Sequence, residues 1–475
     1  MREKISADLP DTFQKDRKIV CVQGLGFVGA AMSLAIANAR DEKGEPLYHV
    51  IGLDLPDAEG SRKIESMNHG KFPFQNTDKN LEKAQKEAFS RGNFYASSDA
   101  SLLAYADMIV VDINLDLKYT KDHKPLLDLR LFREAIHTIG QYMKEEALVI
   151  VETTVPPGTC SNIVYPVLCE EFARRNRKTE NISVAHSYER VMPGEDYFDS
   201  IVNFWRVYAG INERSADRCC AFLESVIRTD QYPLTRLENT TASEMAKVLE
   251  NSYRAANIAF IDEWGRFAEE VHVDLYKVIE AIRMRPTHSN MRQPGFGVGG
   301  YCLTKDPYFA PLAASEIFGL RNLKFPCSTG AVEINNRMPV VSLDKIEKCM
   351  GGDLAGKRLL ILGVSYRQDV GDTRYSPAEI FAKEALARGA VLTYEDPLVS
   401  VWPEMHVDVL QEIPPFTDYD GIVFTVMHKT YQEIDFKTRK ISPGTLIFDA
   451  NCVLTETQRK DIGQLEQVVF QSIGR

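Results

Sequence analysis

The chain has 475 residues, of which 44% are apolar and 26% charged, and a formal charge of −11. That length exceeds one ordinary core and calls for two or three domains. The acidic balance excludes bulk nucleic-acid binding, so an anionic ligand needs a local patch of N–H groups, Lys and Arg.

The polar opening MREKISADLPDTFQKDRK is no signal peptide, and its role is open. KIVCVQGLGFVGAAMSLAIANA (18–39) then predicts a strand, a glycine turn and a small-residue helix. Gly24, Gly26 and Gly29 fit GxGxxG: a tight turn, a close approach to a pyrophosphate, and helix packing on strand. The pyrophosphate would sit on the helix N-terminus. HVIGLDL (49–55) predicts a second strand carrying Asp54, an acceptor for an adenosine ribose that favours NAD over NADP by repelling a 2′-phosphate.

FYASS (94–98), DMIVVDI (107–113), ALVIVETT (147–154) and ISVAHS (182–187) continue the strands, alternating with helical stretches, as in a doubly wound parallel sheet. Thr153 and Thr154 close one strand at the end that borders the ligand crevice, and Glu189 and Arg190 follow another. Residues 238–284 differ: helical periodicity runs through them without a proline. Glu244, Lys247 and Asn251 fall on one face there, although Thr241 and Glu244 also fit a capping box. GKRLLILGVSY (356–366), AVLTYEDP (390–397), YDGIVFTVMH (419–428) and GTLIFDA (444–450) resume the α/β alternation. The fold class is therefore α/β, two Rossmann-like doubly wound domains joined by a long-helix central domain. We place them at 1–215, 216–335 and 336–475.

No run reaches membrane-spanning length. Nine irregularly spaced cysteines, without CxxC or HExxH, read as reduced cytoplasmic thiols, with no metal expected. One stands out: in FGVGGYCLTKDP (296–307), Cys302 follows a glycine loop and precedes Lys305, Asp306 and Pro307. A cation or helix start beside a thiol favours the nucleophilic thiolate. Taken alone the stretch also suits a buried thiol, with Asp306 as N-cap and Pro307 opening a helix.

An ordered set of motifs resembles the UDP-glucose/GDP-mannose dehydrogenase family: GLGFVG, NHGKFPF (68–74), ETTVPPGT (152–159), ERVMPG (189–194), EMAKVLENSYRAANIAFIDE (244–263), GFGVGGYCLTKDP (295–307) and GVSYRQDVGDTRYSP (363–377). The resemblance implies oxidation of the primary alcohol of a UDP-sugar to a uronate with two NAD, through a thiohemiacetal and thioester on Cys302. It implies Lys247 and Asn251 at the oxyanion, Asp306 with Thr154 at the water, and Glu189 near substrate and hydrolysis. NAD contacts would come from Gly24, Gly26, Phe27, Val28, Gly29, Asp54, Thr154, Lys305 and Arg374. Substrate contacts would come from Glu189, Lys247, Asn251, Met291, Arg292, Gln293, Pro294, Gly295, Gly299 and Arg367.

Three departures stand out: VVDINLDLKY replaces a CVPTP-like stretch, Thr304 a common proline, and Arg367 a usual lysine. ERVMPG leans towards UDP-N-acetylhexosamines and GGYCLTKD towards UDP-glucose. The resemblance further implies a homodimer through the helical connector and a sugar acid for surface polysaccharide. The alternatives are a single-step hydroxyacid dehydrogenase, distinguished by one NADH per substrate instead of two, and a nucleotide-sugar sensor without turnover.

Overall fold

The computed structural model describes residues 9–74, 76, 78–122, 124–191 and 194–475, so the first eight residues of the lead-in and Met192–Pro193 of ERVMPG lie outside the described residues. Two compact units emerge, one comprising residues up to Leu249 with Phe309–Lys324, the other Glu250–Tyr308 with Phe325–Arg475.

The first unit is built on an eight-stranded sheet. In chain order its strands are β1 (Lys18–Gln23), β2 (Tyr48–Leu53), β3 (Phe94–Ser97), β4 (Met108–Val111), β5 (Leu148–Val151), β6 (Ser183–His186), β7 (Val207–Gly210) and β8 (Thr235–Arg236). They lie in the order 8-7-6-5-4-1-2-3. The run 3-2-1-4-5-6 is the dinucleotide-binding order, whose switch point falls between β1 and β4. Continuous apolar runs form these strands because helices cover both faces. Thus β2, β4, β5 and β6 are buried throughout.

One expectation is corrected: β7 pairs antiparallel with β6, Ala185 opposite Gly210. An antiparallel neighbour needs no crossover helix, so an otherwise parallel sheet readily gains one near its edge. The described part of the lead-in packs on β2, where the Phe13 ring stacks on His49 at 4.3 Å and Gln14 N–H donates to His49 Nε2 at 2.7 Å.

The proline-free stretch gives two helices, not one: α2 (Thr240–Glu270) and α3 (Leu275–Arg283). His272 at φ 58° breaks the run, and Asp274 caps the new start by accepting from Tyr276 N–H at 3.1 Å. At the front of α2 the cap is Asn239, whose side chain accepts from Ala242 N–H at 2.9 Å; Thr241 lies inside the helix, so the expected capping box does not form.

The second unit carries β9 (Arg358–Leu362), β10 (Val391–Glu395), β11 (Gly421–Phe424), β12 (Leu446–Asp449) and β13 (Val469–Ser472). All pairs are parallel, in the order 10-9-11-12-13. This is the second common doubly wound arrangement, with its switch point between β9 and β11. Among the described residues no helix is long and apolar enough to cross a membrane.

Candidate active site

In the first unit, the turn after β1 runs into α1 (Phe27–Ala37) through Gly26, with no side-chain cap and no acidic residue in the first turn. The three glycines are not equivalent. A Cβ on Gly24 (φ +101°) would lie 2.3 Å from Asp112 O, and one on Gly29 would lie 1.9 Å from Gly24 O. At Gly26 it would meet only Asn114 Oδ1, at 3.8 Å. Gly24 and Gly29 are required for the turn itself. Gly26 leaves the open cradle that a dinucleotide pyrophosphate fits, on an uncapped helix N-terminus. Phe27 stacks on Phe74 of NHGKFPF at 4.0 Å, fixing one wall of the turn.

Asp54 reaches this loop, but its carboxylate is engaged. Oδ2 accepts from Leu25 N–H at 3.0 Å and lies 2.7 Å from Lys63 Nζ, while Oδ1 accepts from Leu55 N–H at 2.8 Å. The charge argument against a 2′-phosphate is therefore weakened, since Lys63 offsets the carboxylate. Lys63 sits mid-helix with no local signal in sequence.

In VVDINLDLKY, Asp112 is buried, its carboxyl pushed well up by desolvation and then by Glu152. Glu152 itself is ion-paired with fully buried Arg206.

Thr153 Oγ1 lies 3.0 and 2.9 Å from the Val111 and Ile113 carbonyls, so its hydroxyl joins strand ends instead of facing a ligand. Thr154 is half-buried, and its hydroxyl makes no hydrogen bond among the described residues. Glu189 is no exposed ion pair: Lys247 Nζ donates to its carbonyl at 2.7 Å and lies 3.8 Å from Oε1, and Val191 N–H donates to Oε2. Lys247 is only 6% exposed, unlike an ordinary helix lysine.

Glu244 faces the VPPGT turn, accepting from Gly158 N–H at 2.5 Å and Cys160 N–H at 2.7 Å. Burial pushes its carboxyl up to about 7 against these donors. It braces the turn after β5 and is not a ligand group.

In the second unit, Cys302 is exposed in a turn whose carbonyl accepts from Lys305 N–H at 3.3 Å and Asp306 N–H at 2.9 Å. The buried-thiol alternative is excluded. Asp306 is fully buried; it accepts from Asn251 Nδ2 at 2.7 Å and from Lys305 Nζ at 2.8 Å. The N-cap expected of it is overturned: Asp306 opens a short 3-10 turn, and its carboxylate serves Asn251 and Lys305. Tyr301 then gathers two more expected residues. Lys305 Nζ lies 4.6 Å and the Arg374 guanidinium 5.8 Å from its ring centre, with Arg374 also bound to Asp372 at 2.7 Å.

A cavity of about 530 Å³ opens in this unit, lined by Arg292, Gln293, Pro294 and Gly295, by Arg367, and by Tyr366, Thr425, Val426 and Asn451. The last three of these follow β11 and β12, so the cavity lies at the C-terminal strand ends, as the switch-point rule requires. Met291 turns away: it packs on the α2–α3 cluster, and its carbonyl accepts from Arg283 Nε at 2.8 Å. Gly299 admits no side chain, since a Cβ would lie 2.7 Å from Pro377 Cδ and 2.8 Å from Tyr375 O. Sequence reasoning missed Asn451, whose Oδ1 would meet a Cβ on Gly295 at 2.7 Å and whose Nδ2 donates to Thr425 O at 3.1 Å. Nothing local to an Asn after a strand announces that clamp. Among the described residues no group of His, Cys, Asp and Glu is placed to hold a metal ion.

Known proteins resemble this chain over nearly its whole length. Models of the UDP-glucose/GDP-mannose dehydrogenase family match in three parts: the NAD binding domain at residues 18–227, the central domain at 241–337 and the UDP binding domain at 360–456. UDP-N-acetyl-D-mannosamine dehydrogenase of Methanocaldococcus jannaschii is 29% identical over 88% of this chain and 87% of its own. The enzyme of the same name from Pyrococcus horikoshii is 28% identical over 96% and 99%. Among solved structures, NDP-N-acetyl-D-galactosaminuronic acid dehydrogenase from Methanosarcina mazei Go1 superposes with a TM-score of 0.77 at 26% identity, covering 97% of this chain and 95% of that one.

Proposed function

The chain belongs to the UDP-glucose/GDP-mannose dehydrogenase family and is an NAD-dependent nucleotide-sugar dehydrogenase, and from that premise we propose that it oxidises the primary alcohol of UDP-N-acetylmannosamine to the uronate in two steps. The observation that carries the two-step reading is Cys302, exposed on a turn held by the buried Asn251–Asp306–Lys305 set. A single oxidation of a hydroxyacid gives that thiol no work. The sugar follows the names of the relatives and the ERVMPG stretch.

Gly24, Gly26 and Gly29 with the α1 N-terminus would hold the cofactor, joined by Phe27, Val28, Asp54 and Thr154; Lys305 and Arg374 of the second unit are the further NAD contacts that the family resemblance implies. Bound NAD supplies the hydride acceptor for both oxidations. The Cys302 thiolate adds to the aldehyde carbon and retains it as a thiohemiacetal. One oxidation later it carries the acyl group as a thioester, which water cleaves to release the acid and restore the thiol. Asn251 and Lys247 are donors suited to the developing oxyanion. To Asp306, ion-paired with Lys305, and to Thr154 we assign the water, and to Glu189 a contact with substrate. Arg292, Gln293, Pro294, Gly295 and Arg367 line the cavity for the nucleotide. Met291 and Gly299 act through the shape of that loop.

A second copy covers the exposed face of α2, where Tyr253, Phe260, Trp264 and Phe267 are all about half exposed at helical spacing. The cytoplasm, where UDP-sugars and NAD are made available, is the compartment, and a sugar acid for surface polysaccharide is the product. The test is NADH released at limiting UDP-N-acetylmannosamine: two per sugar supports the reading, and one per sugar, or turnover only with UDP-glucose, overturns it.

A further inference from the structure

Lys247 carries its ammonium on a flexible four-carbon stem, so a fixed position has to be imposed by its neighbours. The helix beneath it is anchored one turn earlier: Ser243 Oγ and His186 Nδ1 lie 2.8 Å apart, tying the start of α2 to the end of β6. At its tip, Nζ donates to the Glu189 carbonyl at 2.7 Å, whereas the nearer Glu189 carboxylate oxygen stays 3.8 Å away, beyond a hydrogen bond. A further contact is aromatic. Nζ lies 5.3 Å from the centre of the Tyr188 ring, which is only 2% exposed.

Tyr188 is itself held in place. Arg190 Nη2 donates to its hydroxyl at 3.2 Å and Arg190 Nη1 to the Trp205 carbonyl at 3.0 Å, while the His186 ring packs 6.2 Å from the Tyr188 ring. Burial first, and then the Lys247 charge, hold His186 down at about 3, so that imidazole is neutral and does not repel the ammonium. The negative face of an aromatic ring attracts a cation most strongly where water is excluded. A carboxylate in contact would cancel the ammonium charge; a ring face holds the cation and leaves that charge for an oxyanion.

We infer that Tyr188 is a positioning residue for the oxidation, its ring fixing the Lys247 ammonium by a cation–π contact where the oxyanion develops. This rests on the role assigned to Lys247 above and adds the residue through which that role is held.

The experiment follows NADH formation from NAD with UDP-N-acetylmannosamine and with UDP-glucose. It compares wild type, Y188F, Y188L and chains carrying phenylalanine with one, two or three ring fluorines at position 188. Fluorine drains the negative ring face at nearly constant volume, so packing stays while cation binding weakens. Relative to Y188F, kcat should fall stepwise with each fluorine and about tenfold in Y188L. The melting temperature and the KM for NAD should hold steady across the fluorine series, which a merely structural role for the ring would not separate from kcat. A flat fluorine series, or Y188L turning over as fast as Y188F, would overturn the inference alone. No NADH from the wild type with either sugar would overturn the substrate reading and this inference with it.

Discussion

Asn251 Nδ2 donates to Asp306 Oδ2 at 2.7 Å, tying the long helix to the turn that presents Cys302. The bond is buried, and the second Asp306 oxygen takes Lys305 Nζ at 2.8 Å. A carboxylate with both oxygens so engaged is fixed in orientation, as the role proposed for it at the water requires.

Removing one member of this set leaves a buried charge without its partner. Asp306→Ala strands the Lys305 ammonium, whose side chain is 5% exposed, and should cost about 3–5 kcal/mol of stability. Asn251→Ala removes one donor and should cost about 1–3 kcal/mol. Urea unfolding of the two variants checks the order, and Asn251→Ala destabilising more than Asp306→Ala would contradict it.

Cys302 is exposed, so the chemistry proposed for it can be removed without disturbing the core. Cys302→Ala should unfold at the wild-type temperature and bind NAD unchanged, yet form no uronate. Cys302→Ser should trap a covalent sugar adduct visible by intact-protein mass spectrometry. Normal turnover by the alanine variant would end the thioester mechanism.

The glycines of the first turn separate structure from binding. Gly29→Ala forces a Cβ to 1.9 Å from a backbone oxygen and should lower expression and stability severely, by more than about 3 kcal/mol. Gly26→Ala enters open space, so the melt should match wild type while NAD binding weakens at least about tenfold. Thermal melts paired with NAD titrations distinguish the two.

Glu244 gives a pH dependence of defined sign. Its ordinary value is 4.5 and burial raises it to about 7 in the folded chain. Between those values the folded protein keeps a proton that the unfolded chain has released, so stability falls as pH rises through the window. The drop is up to about 3 kcal/mol and is complete above the folded value. Unfolding free energies from pH 4 to 8, wild type against Glu244→Gln, should differ in slope there. Parallel profiles would show that Glu244 titrates normally.

The apolar face of α2 should be covered by a second copy. Trp264 is 49% exposed, with Phe260 and Phe267 rings 6.3 and 6.2 Å away. A Phe260→Asp, Trp264→Glu double variant should elute as a monomer in light scattering where the wild type elutes as a dimer. Wild type already monomeric at micromolar concentration would refute this.

The parts of this protein legible in the sequence are those with local causes. A buried parallel strand must be apolar throughout, a sharp strand-to-helix turn needs glycine at Gly24, and Cys302 is marked by its glycine loop and the Lys305–Asp306 that follow. Local chemistry could also have placed the helix break, since Asp274 is a good cap, but unbroken periodicity concealed it. Short strands such as Val207–Gly210, Thr235–Arg236 and Val469–Ser472 exist because a neighbouring edge offers hydrogen bonds, not because their residues demand extension. Partnership among charges was likewise decided only by the tertiary structure. Which residue answers Asp54, Glu244 or Asp306 depends on what lies nearby once water is excluded, and Lys63, the Gly158–Cys160 turn and Asn251 are 9, 84 to 86 and 55 positions away in the chain. The sequence by itself determined the two nucleotide folds, the family motifs and the glycine loop that carries Cys302. The folded chain decided which of the polar groups brace the site and which are left to meet a ligand, because desolvation makes every buried charge choose a partner.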